Sequence, residues 1–511
     1  MNLKKVIDFL EKERLGILGI FLFIVAISSI RTFEEAILFG YEAGKISYYY
    51  IFYYYHIISF YVAVFLGGIT IMKFLTREKL LRVANLASIA FSIIIFPPLI
   101  DKYILHYSHP YTYIPKDSFI YFLTFMYNKI HGVSGPALAL QLFFILVMSS
   151  IYVYLKTHSI ARAFANLVLM NVMTAIVSTP TINPLIEKIS MGHLSQPIYM
   201  LRQICLSLIF VLILMRISRK NLLKSFLKSM GLPRAFHFIL MGIIGMWIAG
   251  NKFDFSINYE NSGNMGMFLT CILLLFFLWE YAMMINNFYD VEIDKITRKD
   301  RVSSSGMIPL KYVREIAIVF ALISIALSFS LGYPQLFLSL LSIFLATIYS
   351  APPIRLRNKL FSNSIIGIGS SICFLIGYFT PSYIEIDGSM HRIYPTLTSA
   401  SLEIALLIFA ALTAGSLVKD IDDYKGDLKS GVKNIFTIYG IEKGVKIVAV
   451  PVFLSFLVPL FLIHSIQDIA ILFSSGFIAS LLFVKTKSSK IVFIIYIISL
   501  LYAMWRYFLM P

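Results

Sequence analysis

Charge is what this chain has least of. Aspartate, glutamate, lysine and arginine make up 14% of its 511 residues, against roughly a quarter in soluble domains. Hydrophobic residues make up 59%, and the mean hydropathy is +0.81. That deficit excludes a soluble globular protein and leaves a chain that crosses a bilayer many times. Cysteine is scarce too: Cys205, Cys271 and Cys373 each sit inside an apolar run with no CxxC spacing, so neither a disulfide framework nor a zinc or iron–sulfur site is expected. Acids are outnumbered, 27 against 44 bases, for a net charge of +17. In a soluble chain that excess would suggest nucleic acid. Here the bases fall in short loops between apolar runs, as the positive-inside bias predicts, and no nucleic-acid partner is expected.

What the chain does have is long apolar runs. A spanning helix takes about 20 apolar residues, and by that measure about fifteen runs qualify. Six lie near 15–31, 48–72, 83–100, 134–155, 160–180 and 197–215; the rest lie near 237–250, 266–288, 312–330, 334–350, 361–380, 399–418, 440–463, 466–484 and 490–509. The expected fold is all-α, a polytopic integral membrane protein surrounded by membrane lipids. Lys4, Lys5, Lys12 and Arg14 precede the first run and no small-residue cleavage site follows, so it reads as an uncleaved span with a cytoplasmic N-terminus. The basic loops at 73–82, 156–162, 216–234, 289–311, 351–360, 419–446 and 485–490 then all face the cytoplasm. Three parts are expected: a six-span domain over 1–215, a basic amphipathic linker over 216–236 lying along anionic headgroups, and a nine-span domain over 237–511.

The remaining polar residues concentrate at helix ends. In Asn286-Asn287-Phe288-Tyr289-Asp290-Val291-Glu292-Ile293-Asp294, residues Asn286, Asp290 and Asp294 recur every four positions and make one column of oxygen ligands on a helix. In Lys419-Asp420-Ile421-Asp422-Asp423-Tyr424-Lys425-Gly426-Asp427, residues Asp420, Asp423 and Asp427 make a second. Both columns close an apolar helix on the cytoplasmic side. Acids gathered at a membrane boundary repel one another unless a cation lies between them. Hard oxygen ligands suit Mg²⁺, which takes a few carboxylates and completes its shell with water and substrate phosphates. Two facing columns could thus clamp a diphosphate, each supplied by one of two similar halves of the nine-span domain. A third feature, Tyr349-Ser350-Ala351-Pro352-Pro353-Ile354-Arg355-Leu356-Arg357, stops a helix at its prolines and holds two guanidinium groups at the same mouth, where they can bind phosphate oxygens.

These three motifs, in this order over residues from about 234 to 511, resemble the UbiA family of intramembrane prenyltransferases. The resemblance implies a nine-helix bundle in which Asn286, Asp290, Asp294, Asp420, Asp423 and Asp427 bind Mg²⁺ bridged to an isoprenyl diphosphate. It also implies that Arg298, Arg301, Lys419, Arg355 and Arg357 neutralise the diphosphate, and that Tyr349 is the family tyrosine of the catalytic site. Asn287 stands where the family commonly has Asp, which removes one possible ligand. The expected reaction is transfer of the isoprenyl group to a lipophilic acceptor within the membrane, either an aromatic ring or an archaeal-lipid-type alcohol. The Tyr-Ser-x-Pro-Pro loop is closer to the chlorophyll and archaeal-lipid branches than to the hydroxybenzoate branch. A UbiA-like terpene cyclase and a cation transporter are the alternatives.

Three other features stand apart. Glu280 is an intramembrane acid on the helix leading to the first column, placed either to contact an acceptor or to bond a neighbouring helix. His56 sits in an aromatic helix with no second histidine at its depth and reads as structural. The six-span domain either feeds a lipid acceptor or serves as a structural partner.

Overall fold

A computed structural model describes residues 3–38, 48–106, 135–178, 196–250, 259–297, 301–360, 362–386, 389–429, 431–461 and 465–509. Almost everything described is helix. In chain order the helices are α1 (Leu3–Leu10), α2 (Ile17–Leu38), α3 (Tyr48–Thr76), α4 (Leu80–Phe91), α5 (Phe96–Tyr103), α6 (Pro136–Thr157), α7 (Ile160–Ser178), α8 (Gln196–Ser218), α9 (Leu222–Met230) and α10 (Leu232–Ile248). There follow α11 (Tyr259–Tyr289), α12 (Val291–Thr297), α13 (Leu310–Leu331), α14 (Tyr333–Ser350), α15 (Ser362–Tyr378), α16 (Ser399–Lys429), α17 (Ile435–Leu457), α18 (Ile466–Thr486) and α19 (Ser489–Leu509). A two-stranded hairpin, β1 (Ser382–Ile386) with β2 (Ser389–Ile393), lies between α15 and α16. Among the described residues twelve helices are long and apolar enough to cross a bilayer, or thirteen if α9 and α10, bent by 43°, count as one span. The sequence runs near 361–380 and 490–509 correspond to two shorter apolar helices, Ser362–Tyr378 and Ser489–Ser499. The protein is an all-helical integral membrane protein.

The chain divides into two compact units, one of residues 1–226, 253–270 and 383–390, the other of 227–252, 271–382 and 391–511. In the first, α3 packs along α8 and α7, and α2 lies against α3, α4 and α5. Its core is built from Ile24, Ile57, Ala63, Val83 and Val153, each at most 3% exposed. Polar residues inside it close local structure. Asp101, on α5, accepts a hydrogen bond from the Ala137 amide at 2.8 Å, so the first turn of α6 is capped from another helix. Glu11 accepts from the Tyr152 hydroxyl at 2.8 Å and from Lys156 at 2.7 Å, and Asn85 accepts from the amides of Arg14 and Leu15 at 3.1 and 2.9 Å. These bonds pin the segment after α1 to α4 and α6. His56 is buried at 2% exposure, in the aromatic helix α3.

In the second unit successive helices lie side by side. Helix α13 packs on α14, α14 on α15, α15 on α16, α16 on α17, α17 on α18, and α19 returns to α16. Helices α10 and α15 approach so closely that a Cβ at Gly377 would land on the Gly242 backbone, the small-residue packing that replaces a hydrophobic driving force between membrane helices. The inner part of α11 touches three neighbours. Leu275 lies against Gly242 of α10, the Phe277 ring meets Phe320 of α13 at 5.6 Å, and the Tyr281 hydroxyl is 2.6 Å from Thr347 Oγ1 of α14. Because α11, α13, α14, α15 and α16 are joined in sequence as spans of alternating direction, the C-terminal ends of α11, α14 and α16 come to one side of the membrane. Those are the three ends that carry the motifs.

Candidate active site

The first column keeps its register across a helix break. Helix α11 ends at Tyr289 and α12 begins at Val291, yet the Asp290 amide donates to the Asn286 carbonyl and the Asp294 amide to the Asp290 carbonyl, both at 2.9 Å. Asn286, Asp290 and Asp294 therefore stay on one face. Asp290 is 1% exposed and Asp294 4%; Asn286 is half-buried. Neither carboxylate is bare. Arg355 Nη2 lies 2.9 Å from Asp290 Oδ1, and Arg357 pairs with Oδ2 of the same carboxylate. Both arginines come from the turn after Pro352-Pro353, where Arg355 adopts a left-handed φ of 41°. Arg301 Nη1 donates to Asp294 Oδ2 at 2.8 Å and to Asn287 Oδ1 at 2.7 Å, while the next amide, Val302, donates to Ser229 Oγ at 2.8 Å. Asn287 thus orients Arg301, a task its amide oxygen performs without adding a third negative charge beside Asp294.

The second column runs along the end of α16. Asp420 Oδ2 accepts from Asn363 Nδ2 at 2.7 Å, and Asn363 Oδ1 accepts from Ser416 Oγ at 2.6 Å, so α15 holds the carboxylate at a fixed angle. Asp427 Oδ2 accepts from Asn434 Nδ2 at 2.8 Å. Asn434 is also the N-cap of α17, in a capping box with Thr437, which satisfies two of that helix's free amides. Lys419 is half-buried on α16. The side chain of Asp423 and the whole of Arg298 lie outside the described residues.

Helix α14 links the two columns. Its loop supplies Arg355 and Arg357 to Asp290, and Tyr349, in its last turn, lies in the electrostatic field of Asp420, Asp427 and Arg234. Of the six acid and amide ligands read from the sequence, Asp290 meets the loop after α14, and Asp420 and Asp427 act on Tyr349 at the end of the same helix. Among the described residues no three His, Cys, Asp or Glu side chains are close enough to form a metal cage. The donor set still fits Mg²⁺ bound together with a diphosphate, which needs only one or two carboxylates besides phosphate oxygens. Asp290 is already balanced by two guanidinium groups, so a bare dication is disfavoured there; a metal arriving with a diphosphate gives those groups phosphate oxygens to bind.

Sequence reasoning missed Asn363, Asn434 and Ser416. Asn434 carried a signal, the Asn-x-x-Thr spacing of a capping box. Asn363 lies 57 residues before its partner and carried none.

Part of the chain is similar to proteins of known role. It is 33% identical over 159 residues to the digeranylgeranylglyceryl phosphate synthase of Sulfurisphaera tokodaii, covering 31% of this chain and 52% of that protein. It is 27% identical over 161 residues to the bacteriochlorophyll synthase 34 kDa chain of Chloroflexus aurantiacus, covering 31% and 48%. The chain spans about half the length of these relatives. A UbiA homolog from Archaeoglobus fulgidus, solved bound to DMAPP and Mg²⁺, aligns with a TM-score of 0.41 at 15% identity over 55% of this chain and 97% of that one. Residues 235–506, more than half of the chain, match the UbiA prenyltransferase family, and the chain belongs to that family.

Proposed function

We propose that this protein transfers an isoprenyl group from an isoprenyl diphosphate to the hydroxyl of a glyceryl phosphate lipid, within the membrane and with Mg²⁺. One observation carries the proposal: the buried Asp290 carboxylate at the end of α11 meets Arg355 and Arg357, which come from the loop that follows Tyr349 at the end of α14. Carboxylates for a metal and guanidinium groups for phosphate stand within one mouth, above an apolar bundle that can hold a prenyl chain. Asn286, Asp290 and Asp294 on one side, with Asp420, Asp423 and Asp427 on the other, would hold Mg²⁺, whose charge stabilises the departing diphosphate. Arg355 and Arg357, with Arg298, Arg301 and Lys419 around them, bind its oxygens, and Tyr349 lines the adjoining wall. The relatives named as digeranylgeranylglyceryl phosphate synthases favour an alcohol over an aromatic ring, since their product carries two prenyl groups on one glyceryl phosphate. The mouth faces the cytoplasm by the basic-loop rule, residues 237–511 are the catalytic domain, and residues 1–215 are a separate membrane domain.

The test is incubation of the purified full chain with geranylgeranyl diphosphate, geranylgeranylglyceryl phosphate and Mg²⁺. The diether product and free diphosphate are expected in equal amounts, with neither formed under EDTA. Cyclised or eliminated hydrocarbon in place of the diether points to the cyclase alternative. Intact donor under all conditions refutes the proposal.

A further inference from the structure

The end of α9 is tied to the mouth at one point. Ser229, 0% exposed, accepts through Oγ from the Val302 amide at 2.8 Å, a buried bond. Val302 follows Arg301 directly, and the turn that begins there closes on itself. The Arg301 carbonyl accepts from the Ser305 amide at 2.9 Å, and the Ser303 carbonyl from the Gly306 amide at 3.2 Å, with Gly306 at a left-handed φ of 64°. The Val302 amide points out of this turn, and α9 holds it.

The end of α9 is fixed in its turn to the helix that leads into the first column. The Met230 carbonyl accepts from the Trp279 indole at 2.8 Å. A Cβ at Gly231 would lie 3.6 Å from both Trp279 and Met283, so the chain leaving α9 rests on those two side chains. Trp279, Met283 and Asn287 recur every four residues and form one ridge of α11. Asn287, the last of them, accepts from Arg301 Nη1. The contacts close a ring: α9 rests on α11, α11 holds the Arg301 guanidinium through Asn287, and α9 holds the Arg301 backbone through Val302. An arginine fixed at both ends has little freedom left to lose when it binds phosphate.

We infer that Ser229 is a positioning residue for the prenyl donor: by holding the Val302 amide it keeps Arg301 turned to the mouth, set in advance for the diphosphate. This rests on the proposed activity, in which Arg301 is one of the groups around the diphosphate. Without the serine oxygen the Val302 amide is a buried donor with nothing to bond. The turn then shifts to reach water, and Arg301 shifts with it.

The test is the affinity of the full chain, with Mg²⁺, for a non-ionising thio analogue of geranylgeranyl diphosphate. Wild type, Ser229→Ala, Arg301→Gln and the double variant are compared, and geranylgeraniol, which has the prenyl chain and no phosphate, is measured alongside. One neutral hydrogen bond is worth about fivefold in such an equilibrium. Ser229→Ala is expected to bind the analogue about fivefold more weakly and geranylgeraniol within about twofold of wild type. It is expected to add nothing to the loss made by Arg301→Gln, because a residue that acts through another is silent once that other is gone. A merely structural role weakens the analogue and geranylgeraniol alike, or weakens the analogue by the same factor in both backgrounds, and either result overturns the assignment. Where Ser229→Ala does not fold, Ser229→Cys, which keeps the shape and offers only a weak acceptor, is read in its place. Wild-type protein that does not bind the analogue overturns both the proposed activity and this role, whereas a wild type that binds it no better than Ser229→Ala overturns the role alone.

Discussion

Asp290→Asn separates function from folding more cleanly than any other change at the mouth. The carboxylate is buried, but its partners are not: the side chains of Arg355 and Arg357 are 29% and 26% exposed. Breaking a fully buried pair leaves an uncompensated charge at a cost of about 3–5 kcal/mol. Arginines open to solvent to this extent can hydrate, and exposed pairs contribute about 1 kcal/mol or less, so the stability loss is expected near 1–2 kcal/mol. The charge at the proposed metal position is lost outright. A decrease of at least about 100-fold in turnover, about 2.7 kcal/mol of barrier, is expected. The assay is diphosphate release at saturating donor and Mg²⁺, paired with the fraction still monodisperse on size exclusion after a heating series. A rate within threefold of wild type would refute the metal role of Asp290. A protein that aggregates at all temperatures would refute the placing of those arginines at a solvent-open mouth.

Other changes follow from the same geometry. Asp294→Ala strips the carboxylate from Arg301, which is only 7% exposed and keeps Asn287, so its stability loss should exceed that of Asp290→Asn, at about 3 kcal/mol; a smaller heat sensitivity than Asp290→Asn contradicts this. Asn434→Ala removes both the capping box of α17 and the donor to Asp427, and is expected to cost about 1 kcal/mol and to raise the Mg²⁺ concentration for half-maximal rate; an unchanged Mg²⁺ requirement would show that Asp427 needs no orienting partner. Gly377→Leu places a side chain where the Gly242 backbone lies, so α10 and α15 must separate and expression of folded protein should collapse; Gly369→Ala, where a Cβ meets nothing within 4 Å, should be neutral.

How much of this was written in the sequence depends on the range of each interaction. The spans were legible because bilayer thickness demands a run of apolar residues whatever surrounds it, and the first column because a four-residue step aligns side chains on any helix. The β1–β2 hairpin was legible but missed: Asp387-Gly388 stands between two short runs that pair with each other, the strongest local hairpin signal a sequence offers, and a search for long apolar runs passes over it. Asn287 read as a lost ligand, yet it holds Arg301, a partner that only the return of the 301–309 segment brings into reach. Asn363 is likewise unreadable without knowing that α15 lies beside α16. Arg355 and Arg357 could be assigned to the mouth from the proline stop, but not to Asp290 in particular.

Binding of Mn²⁺, a spectroscopically visible substitute for Mg²⁺, in the presence of a non-ionising thio analogue of geranylgeranyl diphosphate tests the joint site most directly. Electron paramagnetic resonance of the full chain should show Mn²⁺ taken up only with the analogue, and uptake should weaken at least about tenfold, about 1.4 kcal/mol, in Asp290→Asn and in Asp420→Asn alike. Uptake that depends on Asp290 while Asp420→Asn, Asp423→Asn and Asp427→Asn all bind as wild type would contradict a clamp built from both helix ends.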